Sequence, residues 1–583
     1  MLATLVAYAL FTPAVTVNVN AQDGETISAD RVFRVTVQAE HPVTQVEFYV
    51  GDDLRETDSS TPYEFKLSVL DEAEGPVKLT FAAYTSEGEN AKKVINGKID
   101  IGLAKGADFH VQRGTELLSN GKIDDAIMAG RIALKAKPGY GPARVLMARA
   151  YYRKGVYDQA QKFAEDVVAA EPNNSEANEL LAGISLQKAF TTFNAQGSDK
   201  KETLEAIRLA LKTSAESRRR NLEAQFDAAG TPTEANALAY SDTAMRSLRF
   251  SAAINALTPL FRKDDTNNKV ANRLAYAQIR TGRFADARIT LNQLKKRGAH
   301  DAYGFALTAI VESFFGNNAG ADDAIKEGIL SDSEDMGVRT AQVFLALQRG
   351  QSAAMRDLAA ALGKDAGQRS EVLYYLSIIN NATQNYVEAE KQFQQAVLAD
   401  PTIYPMYIER ANQALALAAS GRITDRENLA YQFAMAGAFF EAALACKPDA
   451  PEVLTGMAIS AILQSKPADA VKFARSAASS GPTYAAAHYV LAGVSSLMQD
   501  ELTARAARIR TEDKDGVLDS DQRAEIAKLE TEARNFRVEV QKSRDLAEKL
   551  DTRNLSGRPV PTTLDAFNYY YRYGRLPLLT LPN

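Results

Sequence analysis

Of 583 residues none is tryptophan, one is cysteine and four are histidine. A single cysteine cannot form an intrachain disulfide. A metal or catalytic centre built on Cys and His would have almost no material. Positive charge is not in excess either: 68 Lys and Arg face 73 Asp and Glu, a net charge of −5. That balance argues against the broad basic surface of a nucleic-acid binder. The basic runs Arg218-Arg219-Arg220 and Lys295-Lys296-Arg297 are short and lack interleaved aromatics. Nucleotide, zinc-protease, hydrolase and redox signatures (G-x-x-x-x-G-K-[ST], H-E-x-x-H, G-x-S-x-G, C-x-x-C) do not occur. Carboxylates are many, but no pair stands out as acid and base. No catalytic residue and no cofactor is expected, and the chain reads as a non-enzyme. What is present is ordinary: 46% hydrophobic and 24% charged residues, as in soluble proteins.

The N-terminus opens with an uncharged apolar run, Leu2 to Phe11. It is too short for a bilayer span, which needs about 20 residues, so no integral span is expected. Its length fits the core of a secretory signal peptide, and Ala7-Tyr8-Ala9 supplies a small-x-small cleavage site. No Lys or Arg precedes it. Residues 1–11 are therefore a candidate signal peptide, with a cytosolic start feeding a first strand, or an uncleaved anchor, as the rivals. Export to the periplasm or cell surface is the expectation, and a lone Cys is compatible with it.

From Pro13 the apolar period becomes two. Val15, Val17 and Val19 alternate with polar residues, then Phe33, Val35 and Val37, then Val46, Phe48 and Val50, then Tyr63, Phe65 and Leu67, then Val77, Leu79 and Phe81. Turn signals separate these runs: Asp23-Gly24, Gly51-Asp52-Asp53, Glu74-Gly75-Pro76 and Glu87-Gly88. The pattern predicts a β-sandwich over 12–102. The stretches Val46 to Val50, Thr61 to Phe65 and Ala82 to Asn90 resemble a bacterial immunoglobulin-like domain. The resemblance implies a disulfide-free spacer or adhesive module of an exported protein, without enzyme activity. His41 and His110 flank this region without companion ligands and read as solvent-exposed.

After Gly102 the period becomes 3.6, and a longer period of 34 is laid over it. Gly121 and Gly155 are 34 apart, as are Ala126 and Ala160, Pro138 and Pro172, Gly282 and Gly316, Gly316 and Gly350, and Pro448 and Pro482. Gln384 holds the next equivalent place. Small residues fall where two helices cross closely (Gly114, Ala148, Ala275, Ala309 and Ala458, with Ala126, Ala160, Ala253, Ala287, Ala389 and Ala470), and Pro ends the unit. This pattern resembles the tetratricopeptide repeat, and implies an all-α superhelical solenoid over 105–500. Insertions of 12 or 13 residues break the phase near 190–235 and 418–430. They read as longer helices or loops at one edge. The Lys, Asn and Arg clamp that some cytosolic relatives use is not supported, because its first places hold Val111 and Thr115. Cys446, among Ala443, Leu444 and Ala445, reads as a small buried residue.

Residues 501–550 are charged and helical and read as a polar cap for the array. Within them Asp513, Asp515 and Asp519 form a weak calcium candidate. Thr511 and Gln522 stand where the strongest ligands belong, so an acidic turn is the better reading. The tail, 551–583, is rich in aromatics and Pro: Phe567, Tyr569, Tyr570, Tyr571 and Tyr573, then Leu576, Leu578 and Leu579. It packs back on its own solenoid or docks on a partner. Tyr151, Tyr152, Tyr276, Tyr374, Tyr375 and Tyr407 are candidate groove contacts on first helices. The function expected is a protein-binding scaffold of the bacterial envelope whose groove takes a protein segment of unknown identity. Two alternatives stand beside it. One is a structural subunit docked in a larger complex by its tail. The other is cell-wall or polysaccharide attachment through the β-domain, which the lack of Trp weakens.

Overall fold

The computed structural model describes residues 15–195, 200–365, 369–512, 518–552 and 563–580. The candidate signal peptide and the calcium candidates Asp513 and Asp515 lie outside them. The chain divides into two compact units, one ending at Ile184 and the other starting at Ser185.

The first unit opens with eight strands: β1 (Val15–Val19), β2 (Thr26–Ile27), β3 (Arg31–Ala39), β4 (Val43–Val50), β5 (Asp53–Asp58), β6 (Tyr63–Leu67), β7 (Gly75–Thr85) and β8 (Asn90–Ile99). They form two sheets, ordered β1-β3-β6 and β2-β8-β7-β4-β5. The period-two residues face inward, as expected: Phe33, Phe48, Phe65 and Phe81 are all buried. Phe48 stacks on Phe81 at 5.0 Å, and Phe33 meets Phe81 edge-on at 5.4 Å. β5 and β8 were not among the expected runs. β5 (Asp-Leu-Arg-Glu-Thr-Asp) is an exposed edge strand, whose charges keep it from pairing with a stranger. β8 buries only Ile95 and Ile99, too few to show an apolar alternation.

Helical hairpins follow: Gly106–Ser119 with Ile123–Ala136, then Gly141–Lys154 with Tyr157–Ala170. Ile132 packs into the sandwich core, and Lys135 Nζ donates to Leu70 O at 2.6 Å. The sandwich therefore rests on the first repeat. His110 corrects the expectation of exposure: it is buried, and its Nε2–H donates to Gly102 O at 2.8 Å. Gly102 holds a φ of +75°, a left-handed conformation that only glycine adopts at no cost.

In the second unit hairpins recur in phase. First helices include Asn268–Arg280, Ala302–Phe314, Met336–Arg349, Ser370–Ala382, Tyr404–Ala419 and Pro451–Leu463. Each is followed by a second helix, the last two by Arg426–Cys446 and Pro467–Ser480. Small residues at the crossings, such as Ala275, Ala309, Ala389 and Ala470, are fully or almost fully buried. Long helices run through both insertions. Lys200–Ala228 runs 29 residues and Arg426–Cys446 runs 21. The two pack on each other: Arg208 and Lys212 both pair with Glu441, and Arg219 Nε donates to Ala445 O at 2.8 Å. Arg426–Cys446 is long and apolar enough, by composition, to cross a membrane. Its Ala436, Phe439, Phe440 and Ala443 lie in the repeat core. Cys446 is buried as expected. The cap is a helical pair, Ala485–Glu512 and Ser520–Leu550. Asp519 serves as the N-cap of the latter and forms a capping box with Gln522.

The turn between paired helices requires a left-handed residue. Gly282, Gly316 and Gly350 supply it at φ +73°, +71° and +67°. Gln384 occupies the same place at φ +65° and is exposed. A side chain there costs on the order of 1 kcal/mol. Gln384→Gly is therefore expected to raise stability by up to about 1 kcal/mol, measured as a higher thermal midpoint. An unchanged or lower midpoint would contradict this account of the turn.

Candidate functional site: a groove that holds the chain's own tail

First helices of the second unit place Arg280, Tyr303, Tyr375, Glu409 and Glu452 toward one groove, and Tyr484 joins them just ahead of helix Ala485–Glu512. The groove is occupied. A short helix, Thr563–Tyr573, enters it, and residues 574–580 continue without regular structure. The contacts go largely to the tail's backbone. Tyr484 OH donates to Gly574 O at 2.7 Å, and Tyr303 OH donates to Thr580 O at 2.9 Å. Leu578 N–H donates to Tyr375 OH at 3.1 Å, and Arg280 Nη1 reaches Pro577 O at 3.5 Å. From the tail, Tyr570 OH donates to Glu452 O at 3.0 Å. Residues far apart in sequence thus read one segment.

Two tail features fix its register. Arg575 makes a two-point ion pair with Glu409, one contact of which is 2.8 Å. Burial opposes the charge on Arg575, but the Glu409 carboxylate more than offsets it, so its pKa is raised. Leu576 and Leu579 are buried, Leu579 at 1% exposure. Pro577 has no N–H to satisfy and biases Leu576 toward extended backbone.

Below the tail lies a buried cation. Arg280 is 2% exposed; its Nη2 donates to Tyr404 OH at 2.6 Å, and Tyr404 OH donates to Glu452 Oε1 at 3.2 Å. Burial works against this charge too, and Tyr404, Tyr276 and Glu452 outweigh it, leaving the pKa raised. Burial pushes the phenols of Tyr303, Tyr375, Tyr484 and Tyr570 up. They stay neutral, able to donate or accept. Between tail and groove a cavity of about 320 Å³ remains, lined among others by Arg280, Tyr374, Asn412, Glu452 and Tyr570. Arg280 Nε, Tyr374 OH, Asn412 Oδ1 and Glu452 Oε2 are buried without a protein hydrogen-bond partner.

The residues singled out in the sequence fall in four places. Tyr276, Tyr374 and Tyr375 are buried in the groove beside the tail. Phe567 and Tyr570 are buried in the tail itself. Tyr569 packs on Tyr489 at 4.6 Å and on Tyr573 at 5.3 Å, and Tyr571 on Tyr570 at 5.5 Å. Groove candidates and tail candidates thus form two sides of one contact. Tyr407 is elsewhere, buried in its own hairpin, where its OH donates to Pro401 O at 2.9 Å. Tyr151 and Tyr152 belong to the first unit, half-buried: Tyr151 stacks on Phe163 at 5.8 Å, and Tyr152 meets Tyr157 at 5.8 Å. The pattern did not reveal Arg280, Glu409, Glu452 or Arg575. Among the described residues no cluster of three or more His, Cys, Asp or Glu could hold a metal.

Comparison with known proteins agrees with this architecture. The family model for the tetratricopeptide repeat matches residues 117–184 and 244–310. The model for the bacterial Ig domain matches residues 13–84. The chain therefore carries tetratricopeptide repeats behind an N-terminal bacterial immunoglobulin-like domain. No curated protein matches the chain. Among solved structures, fibronectin(III)-like modules of Clostridium thermocellum CbhA align at 30% identity over 14% of this chain and 94% of theirs, with a TM-score of 0.14. Yeast Tom70 aligns at 16% identity over 80% of this chain and 95% of its own, TM-score 0.24. A human IFIT1 dimer with PPP-AAAA aligns at 12% identity over 70% and 90%, TM-score 0.36. Repeats of this kind build protein-interaction scaffolds with concave binding surfaces.

Gly574 is tightly enclosed. A Cβ there would lie 2.6 Å from both Tyr484 OH and Tyr570 O. Gly574→Ala is expected to weaken the docked tail by about 1–3 kcal/mol, read as faster proteolysis within 563–580 at unchanged far-ultraviolet dichroism. Cleavage at the wild-type rate would contradict the assigned register.

Proposed function

We propose that this chain is a non-enzymatic scaffold of the bacterial cell envelope that binds an extended protein segment through the groove of its second unit. One observation carries the reading: the groove already holds a segment without regular secondary structure, residues 574–580, largely by its backbone. Hydrogen bonds to a backbone are indifferent to sequence and supply affinity for any extended chain, while pockets between them select side chains. The bacterial immunoglobulin-like domain supports an extracellular or surface setting, and the apolar run at 2–11 fits export. The non-enzymatic reading is supported by the state of Cys446. Burial raises its thiol pKa far above the ordinary value, so it stays protonated.

The tail as a docking strip for a larger assembly requires that strip to leave its own groove first. Attachment to polysaccharide through the sandwich has little to use: its described aromatics are buried or half-buried. The test is an array of peptides from exported and envelope proteins, probed with the full chain and with its Tyr375→Asp variant. Bound peptides whose signal falls at least about tenfold in the variant are expected, since each lost buried hydrogen bond costs about 1–3 kcal/mol. An array with no binder, or binders indifferent to the change at Tyr375, would sink the reading.

A further inference from the structure

We infer that the segment Arg575-Leu576-Pro577-Leu578-Leu579 is a resident copy of the groove's ligand. The partner in trans is an extended segment with an arginine followed by leucine-like residues at the first, third and fourth places after it, and it enters by displacing the tail. This rests on the reading of the groove as a peptide site.

Three observations converge on it. The tail is held as a ligand is held: Tyr484, Arg280 and Tyr303 donate to its carbonyls, Tyr375 accepts from its N–H, and one ion pair fixes the register. The selective elements sit on the groove side. Glu409 is the acid that reads Arg575, while the other groove cation, Arg280, is engaged by Tyr404. Leu576 and Leu579 fill apolar sites beside it. Third, the contact is sealed at Phe567, Tyr570, Leu576 and Leu579 but not throughout. A cavity of about 320 Å³ lies beside the contact, lined by residues of both tail and groove, and four buried polar atoms of Arg280, Tyr374, Asn412 and Glu452 face no protein partner. Permanent cores are dry and satisfied; exchangeable interfaces are wet.

Covalent attachment raises the tail's effective concentration, on the order of millimolar for a short flexible linker, so a free ligand of equal chemistry competes at a disadvantage. Opening the groove removes that disadvantage. The probe is a labelled peptide of residues 563–580, titrated into full chains. Wild type is expected to bind it weakly. The Arg575→Glu chain, which places two like charges together in its own docked state but leaves the groove intact, is expected to bind it at least about tenfold more tightly. The Glu409→Arg chain, also opened but with its acid gone, is expected not to bind it. A merely structural ion pair would weaken both variants alike and give neither any affinity for the peptide.

A second measurement needs no variant. In wild type, hydrogen exchange of 563–580 should quicken with excess unlabelled peptide while helix Ser370–Ala382 keeps its protection. Equal affinity of wild type and Arg575→Glu, exchange of the tail in step with Ser370–Ala382, or a wild-type dimer joined through swapped tails would overturn the inference. Array peptides that bind the Arg575→Glu chain without the Arg-Leu pattern, while the tail peptide gains nothing, would overturn it and leave the scaffold reading standing. A folded Arg575→Glu chain that binds no peptide would overturn both.

Discussion

A guanidinium group taken out of water must meet compensating charge, or the segment carrying it will not stay buried. In this chain two guanidinium groups meet in one groove, Arg280 buried and Arg575 half-buried. Arg575 belongs to the tail and is matched by Glu409; Arg280 belongs to the repeats and is matched through Tyr404 by Glu452. Glu452 accepts at its backbone from Tyr570, so the two networks meet at the tail. The leucines contribute apolar burial, but they would fit many registers. The ion pair and the Gly574 contact admit one.

The repeats make such a site possible because they bring one kind of position, on each first helix, into line. Tyr303, Tyr375, Glu409 and Glu452 come from four first helices within a stretch of about 150 residues. No single local motif could assemble them. The inserted helices contribute in another way. Lys200–Ala228 lies against Arg426–Cys446, so the start of the second unit is braced on a later repeat by Arg208, Lys212 and Arg219. A solenoid held at two distant points resists unwinding, and the spacing of its first helices is fixed accordingly.

Much of this was legible in the residues. The 34-residue phase of Gly, Ala and Pro located the hairpins because each type answers a local steric demand. Alternation located the strands with inward Phe and Val. β5 and β8 escaped, since an edge strand and a half-solvated one carry charges where alternation needs apolar residues. His110 escaped because its partner is a carbonyl aimed by the left-handed Gly102, and a backbone conformation leaves no trace in a pattern of side chains. Aromatic content marked both Tyr375 and Tyr570, yet it equally marked Tyr407, which only braces its own hairpin. Glu409 and Arg575 were invisible for a different reason. They are 166 residues apart, and charged residues ordinarily face water. Only the three-dimensional closure of the array shows that these two do not.

The absence of tryptophan that opens the sequence makes the central claim directly measurable. A single substitution, Phe567→Trp, would give the whole chain one indole reporter in the tail, at a position that is 7% exposed. If the resting groove holds its own tail, that indole emits as a buried group and is shielded from a soluble quencher, and the shielding disappears when the tail peptide is added in excess. Emission typical of a fully hydrated indole, with free quenching before any peptide is added, would contradict the account.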